Sequence, residues 1–373
     1  MRTLRPKTYV GWVVVPALSI LLALLVASVL IIVSGLIGQE KKLDLLLPLV
    51  AYRSLLVGAF GSFKGFANMI VAATPLMLTG LAVGVGLKAG LFNIGATGQV
   101  LMGGFTAALV GVMVKDAPPL VAISAALLAG MLAGALAGFI PGLLKAFTGA
   151  HEVVTTIMLN AIIQLIVSGL VNDVFRAPGF SFARTAPVGH ATLTGMGGTT
   201  LHLGVIFAFV CIPLSYWLLW RTTVGFEIRA VGANPTAALY AGMKPRRMMI
   251  LTMSLCGAFA GLAGAIEILR LGYYPAVFGT NIGFDGITVA LLGQSNPIGI
   301  MLSALLLGAM RAGAPLMQIQ ARVPVEIIDV IQGVILIFLA AEVVVRRIFR
   351  LRTAQGTGEL QTITRTYGEK VAG

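Results

Sequence analysis

Charge is scarce in this sequence. Asp, Glu, Lys and Arg make up 10% of its 373 residues, against about a quarter in a soluble domain. With 58% hydrophobic residues and a mean hydropathy of +0.98, much of the surface must face lipid rather than water. Cysteine is rarer still. Cys211 and Cys256 both sit inside apolar stretches, which argues against a disulfide framework and a thiolate metal site. The three histidines, His151, His190 and His202, have no carboxylates at ligand spacing. No G-x-x-x-x-G-K-[ST], G-x-S-x-G or H-E-x-x-H occurs, and Gly84-Val85-Gly86 lacks the rest of a dinucleotide fingerprint. The chain is therefore not expected to bind ATP itself, to hold a cofactor or metal, or to act as an enzyme.

What is present is apolar sequence with 46 glycines, a composition suited to helices packed closely in a bilayer. Runs approaching the roughly 20 residues a spanning helix needs fall at about 11–37, 68–87, 92–114, 119–144, 153–171, 203–220, 248–269, 283–295, 298–312 and 326–345. The expectation is an all-α integral membrane protein of about ten transmembrane helices, forming one transmembrane domain over 1–373. Arg2, Arg5 and Lys7 imitate a signal peptide. The apolar run they precede, Gly11 to about Ile37, exceeds a signal core of 7–15 residues and reads as a retained first helix. The pair within 283–312 is short and separated only by Asn296 and Pro297, as in broken helices at a transport pathway. The stretch 43–63 mixes Asp44, Pro48 and Arg53 with leucines and reads as an interfacial helix. The tail, 353–373, is polar.

The net charge of +13 is distributed between the apolar runs, so cationic cytoplasmic loops explain it and nucleic acid does not. Ten spans with the N-terminus inside place 16 Lys and Arg on the inner side and 10 outside. The clusters at 221–247 and 346–352 both fall inside, which predicts cytoplasmic N- and C-termini. Glycines recur every four residues at Gly130, Gly134, Gly138 and Gly142, and again at Gly80/Gly84 and Gly257/Gly261. Such small-residue faces let helix backbones approach each other.

Asn93-Ile94-Gly95-Ala96-Thr97-Gly98 and Asn281-Ile282-Gly283-Phe284-Asp285-Gly286 share the pattern N-I-G-x-x-G, each opening an apolar run. In the span count, one leaves the inner side and the other the outer side. That arrangement suits two inverted-topology repeats, about 68–171 and 248–345. Asn beside glycines can leave backbone N–H groups free for a polar solute; the alternative is that both asparagines only cap their helices. Candidate intramembrane acids are few: Asp285 and Glu267, with Glu152 and Asp329 near span ends. Glu267 has Arg270 three residues on, a spacing that suits a local pair. So few acids favour an external energy source over an ion gradient. The inner loop 221–247 holds Gly225, Gly232, Asn234-Pro235 and Gly242 around a short helix at 236–241, with Asn234 as cap and Pro235 in the first turn. Such a helix on a basic loop suits docking.

Five stretches resemble the permease subunits of bacterial ABC importers for branched-chain amino acids, simple sugars and nucleosides. They are GLFNIGATGQVLMGG (90–104), HEVVTTIMLN (151–160), GANPTAALYAGM (232–243), GFDGITVALLGQSNP (283–297) and VIQGVILIF (330–338). The resemblance is strongest to the nucleoside and simple-sugar branch, although Thr97 stands where that branch commonly has Glu. It implies a bacterial plasma-membrane permease subunit that carries nucleosides, with simple sugars as the alternative solute. A stand-alone secondary carrier is a further alternative. Implied partners are ABC ATPase subunits, a second permease subunit in a homo- or heterodimer, and an extracellular lipoprotein or periplasmic binding protein. By resemblance Gly225, Gly232, Asn234, Pro235, Ala238 and Gly242 form the ATPase-coupling region. Phe92, Asn93, Gln99, Asn281, Phe284 and Asp285 are expected to line the pathway. Phe92, Phe284, Tyr273 and Tyr274 could stack on a base or sugar, the two tyrosines serving equally as interfacial belt residues.

Overall fold

A computed structural model describes residues 14–37, 44–278 and 281–340. Among these, thirteen α-helices account for the architecture and no strand occurs. They are α1 (Val15–Ile37), α2 (Leu47–Phe60), α3 (Phe63–Lys88), α4 (Ala96–Met113), α5 (Pro119–Thr148), α6 (Glu152–Gly169), α7 (Leu203–Arg221), α8 (Thr223–Ala233), α9 (Pro235–Tyr240), α10 (Pro245–Leu271), α11 (Asn281–Leu292), α12 (Pro297–Ala321) and α13 (Ile327–Ala340). Eight of them, α1, α3 to α7, α10 and α12, are long and apolar enough to cross a membrane. The shorter apolar helices are α2, α11 and α13. The expected segments 11–13 and 341–345, and the tail 353–373, lie outside the described residues.

One expected boundary is corrected. The run read as 298–312 continues as a helix to Ala321. Arg311 lies inside α12, where its guanidinium is paired with Asp285 of α11. A paired charge does not require the helix to end in water. Ahead of α12, Gln294 and Ser295 adopt positive φ (51° and 53°), and Asn296 accepts the Ile298 amide at 3.0 Å. The chain thus reverses tightly between α11 and α12.

Glycine decides how the helices meet. On α5, a methyl group at Gly134 would strike the Gly257 carbonyl and Gly261 of α10, and one at Gly138 would strike the Met253 carbonyl. Gly130 faces Ala265, and Gly142 lies against Ile250 and Met253. The two helices therefore run antiparallel with backbones in contact, as expected where small residues replace a hydrophobic driving force. Gly103 and Gly264 bring α4 onto α10 in the same way. On the other side, Gly80 of α3 meets Val289 of α11 and Ile300 of α12, and Gly308 of α12 meets Met69 and Ala73. One apolar cluster joins these elements from Ala73 to Leu307.

α2, about 21 Å long at 1.5 Å per residue, is too short to cross a roughly 30 Å hydrocarbon core. It packs on α12 through Gly58 and Gly313, and Ser54 donates to the Gln320 side chain at 2.8 Å. Its outward face is apolar as well as charged: Leu49, Leu56, Val57 and Phe60 are exposed beside Arg53. α1 and α13 pack together through Ala23, Ala27, Ile331 and Ile335. Over the far ends of α4 and α10 the segment 184–193 is laced down by backbone bonds, Thr185 to the Tyr274 carbonyl and Leu193 to the Leu269 carbonyl, both at 2.9 Å.

Candidate functional site

The two N-I-G-x-x-G segments, remote in sequence, meet in the fold. A methyl group at Gly283 would collide with the backbone amide and hydroxyl of Thr97, so the start of α11 rests on the start of α4. Gly286 likewise lies on Thr79 of α3. Chain leads toward this seam from both sides as non-helical segments, 89–95 from the end of α3 and 272–278 from the end of α10.

The first copy is braced by side-chain hydrogen bonds. Asn93 is buried, donates from Nδ2 to Gln99 Oε1 at 2.9 Å, and accepts the Gly95 amide at 3.0 Å. Asn160 of α6 accepts the Gly98 amide at 2.8 Å and donates to the Ile94 carbonyl at 2.9 Å. Two amides that the glycines could have freed are therefore occupied, and Asn93 and Gln99 are bonded to each other. The second copy is more open: Asn281 and Phe284 are exposed, while Asp285 is half-buried against Arg311. Phe92 is half-buried against the core.

Sequence reasoning missed Asn160 as a brace, although it closes the HEVVTTIMLN stretch. Its role needs a contact 62 residues away in sequence, which no local pattern reports. Thr97, noted only as a departure, lies at the contact of the two copies, buried and with its hydroxyl unpartnered. Tyr273 stacks obliquely on Phe182 at 6.0 Å and lies 4.4 Å from the Arg184 guanidinium. Tyr274 is buried, edge-on to Phe105 at 5.7 Å. In this chain it is a core residue, open neither to a solute nor to the interface.

The inner loop forms a compact hook. Thr222 caps α8 by accepting the Gly225 amide at 3.0 Å, and a side chain at Gly225 would strike the Leu218 carbonyl. α9 begins at Pro235 beneath Asn234, whose Oδ1 accepts the Ala237 amide at 2.9 Å. Ala238 is buried, and Gly242 turns the chain at φ +83°. Gly232 presses on Lys88 and Ala89, so a methyl group there would meet the Lys88 carbonyl. The hook therefore touches Lys88, Ala89 and Gly90, the three residues that lead into the Leu91–Asn93 approach to the seam.

Among the described residues, charged contacts are few. Lys145 and Glu152 pair at 2.8 Å across the α5–α6 turn, and Arg270 donates through Nε to Glu267 at 3.2 Å. His202, just before α7, is buried, and both ring nitrogens lack a hydrogen-bond partner. Burial, then the Arg270 charge, lower its pKa to about 4, while Glu267 opposes the shift. No group of His, Cys, Asp and Glu that could hold a metal occurs among the described residues.

Eight spanning-length helices with buried polar braces, joined on one side by a structured basic hook, define a helical membrane protein. The chain belongs to the branched-chain amino acid transport system / permease component family, whose model matches residues 65–340. It is 38% identical to the guanosine ABC transporter permease protein NupP of Bacillus subtilis, over 89% of this chain and 94% of that one. It is 33% identical to the nucleoside ABC transporter permease protein NupB of Lactococcus lactis, over 89% and 92%. The ribose import permease protein RbsC of Escherichia coli is more distant, at 28% identity over 76% and 88%. These relatives are transporter subunits, not enzymes. No solved structure matches the chain.

Proposed function

We propose that this chain is the membrane permease subunit of an ATP-driven ABC importer for nucleosides. The similarity over almost the whole length to two nucleoside-system permeases, at 33–38% identity, carries this reading. Simple-sugar import is second, because the ribose permease shares less sequence over less of the chain. ATPase subunits would dock from the cytoplasm on the hook 221–247, with Gly225, Gly232, Asn234, Pro235, Ala238 and Gly242 shaping its backbone. A second permease and an extracellular binding protein would complete the assembly.

The layout also supports inverted repeats at about 68–171 and 248–345. α10 of one half packs on α4 and α5 of the other, and α3 packs on α11 and α12. With the eight long helices, α11, about 18 Å long, and α13 would supply the ninth and tenth crossings, putting both termini in the cytoplasm. Asn281 and Phe284, exposed on α11, would face the solute, while Asn93 and Gln99 would stiffen the seam behind them. The extracellular ends of the spans would bear Tyr273 and Arg184.

The test is uptake in proteoliposomes. ATP-dependent uptake of guanosine or uridine, requiring the ATPase and binding protein and resisting competition by ribose, is the expected result. Uptake by this chain alone under a proton gradient would refute it, and competition by ribose only would move the reading to sugars.

A further inference from the structure

A groove on the described surface lies beside the hook. It encloses about 960 Å³ between the last turns of α5, the short helix α9 and the first turns of α10. Its walls are apolar, with Phe139 and Phe147 from α5, Leu239 from α9, and Ile250 and Leu251 from α10. Its mouth carries Lys244, Arg246 and Arg247, and no Asp or Glu lines it. All three cations are exposed and, among the described residues, none has an acidic partner within ion-pair distance. The Arg246 guanidinium stands 5.8 Å from the Phe147 ring, which holds one cation at the junction of mouth and wall.

The dimensions are those of one bilayer leaflet. From Pro245 at the mouth to Ser254 at the far end is nine residues of helix, roughly 13 Å at 1.5 Å per residue. Phe147 to Phe139 on α5 covers about 12 Å in the same direction. Half of a roughly 30 Å hydrocarbon core is about 15 Å. The outer flank of α5 continues as exposed Ile140, Leu143 and Leu144, so the groove opens sideways onto lipid. A basic mouth at the rim above an apolar slot one leaflet deep matches a single amphiphile with an anionic head. Basic pockets between membrane helices recognise such headgroups through this charge.

The geometry points to a binding site for one anionic phospholipid, its phosphate at Lys244, Arg246 and Arg247 and an acyl chain along Phe139, Phe147, Ile250 and Leu251. The lipid would fill the space between α9 and the bundle, bracing the hook through α9. The proposal needs only that α5 and α10 cross the bilayer, so its failure and that of the transport reading are scored separately.

Native mass spectrometry of the purified full chain tests it, with phosphatidylglycerol and phosphatidylcholine of identical acyl chains in competition. Wild type should retain phosphatidylglycerol at least tenfold over phosphatidylcholine. The triple substitution Lys244→Gln, Arg246→Gln, Arg247→Gln should reduce that retention at least fivefold, and Ser254→Trp, which fills the apolar end, should lower retention of both lipids. Equal retention by wild type overturns the site without any variant being needed. Undiminished retention by the triple variant also overturns it, as does displacement of the lipid by inorganic phosphate at equal concentration. A self-associated chain that excludes lipid would instead assign the groove to a second copy.

Discussion

At the residue scale, three positions translate directly into measurements. Gly134 has no room for a methyl group between α5 and α10, whereas nothing lies within 4 Å of the same methyl at Gly169. Overpacking costs about 1–3 kcal/mol, so Gly134→Ala should lower the detergent melting temperature while Gly169→Ala leaves it unchanged. Equal behaviour of the two would mean that α5 and α10 do not touch there. Asp285→Asn leaves Arg311 without its partner in the bundle. Orphaning a buried ion costs about 3–5 kcal/mol, reduced here because the Arg311 side chain is 26% exposed. Asp285→Asn should thus destabilise by about 2 kcal/mol in chemical denaturation, and adding Arg311→Gln should recover most of it. His202 is held neutral, with its pKa lowered to about 4 from an unfolded value near 6.5. Above pH 6.5 both states are neutral and nothing is lost. As pH falls from 6.5 towards 4, the unfolded state takes up the proton and the folded state does not, so stability declines. Between pH 7 and 5 the melting temperature of His202→Asn should fall less than that of wild type.

At the element scale, the hook formed by α8 and α9 is the part to perturb. Gly232 sits in the last turn of α8 with Lys88 against it. Pro at that position removes a backbone donor and fixes φ, and its ring adds the carbon for which there is no space. Gly232→Pro should cut ATP-driven uptake at least tenfold in reconstituted complexes, with membrane insertion unchanged and ATP hydrolysis retained. Full uptake would show that the contact between hook and seam carries no coupling. The individual signals in this loop were legible in sequence. An Asn-Pro start and a Gly end are local chemistry, and the short helix Pro235–Tyr240 lies within one residue of the expected 236–241. The helix α8 was not expected, because its eleven residues carry charge and include two glycines, and it is stabilised by packing of Gly225, Ile228 and Val231 on neighbouring elements.

At the scale of the whole molecule, orientation is the exposed proposition. Tyr240, 88% exposed, lies on the hook, and Met196 lies in the loop at the opposite ends of α4 and α10. Both native cysteines are buried, so introduced thiols report cleanly. Tyr240→Cys should react with a membrane-impermeant maleimide only in inside-out vesicles, and Met196→Cys only in intact cells. The reverse pattern would invert the topology and remove the hook from the ATPase side.

The sequence by itself determined the class of molecule, because composition and the lengths of apolar runs are set by the solvent a chain must face. It also located the hook and the two N-I-G-x-x-G segments, whose cap and turn chemistry is local. The tertiary structure alone decided that those segments touch, that Asn93 and Gln99 spend their polarity on each other, and that Asn160 braces them. It decided that Arg311 belongs inside a helix, because a charge is tolerated there only when a partner arrives from another element. Such facts depend on groups brought together across tens or hundreds of residues, and only the packing of glycine-faced helices brings them together.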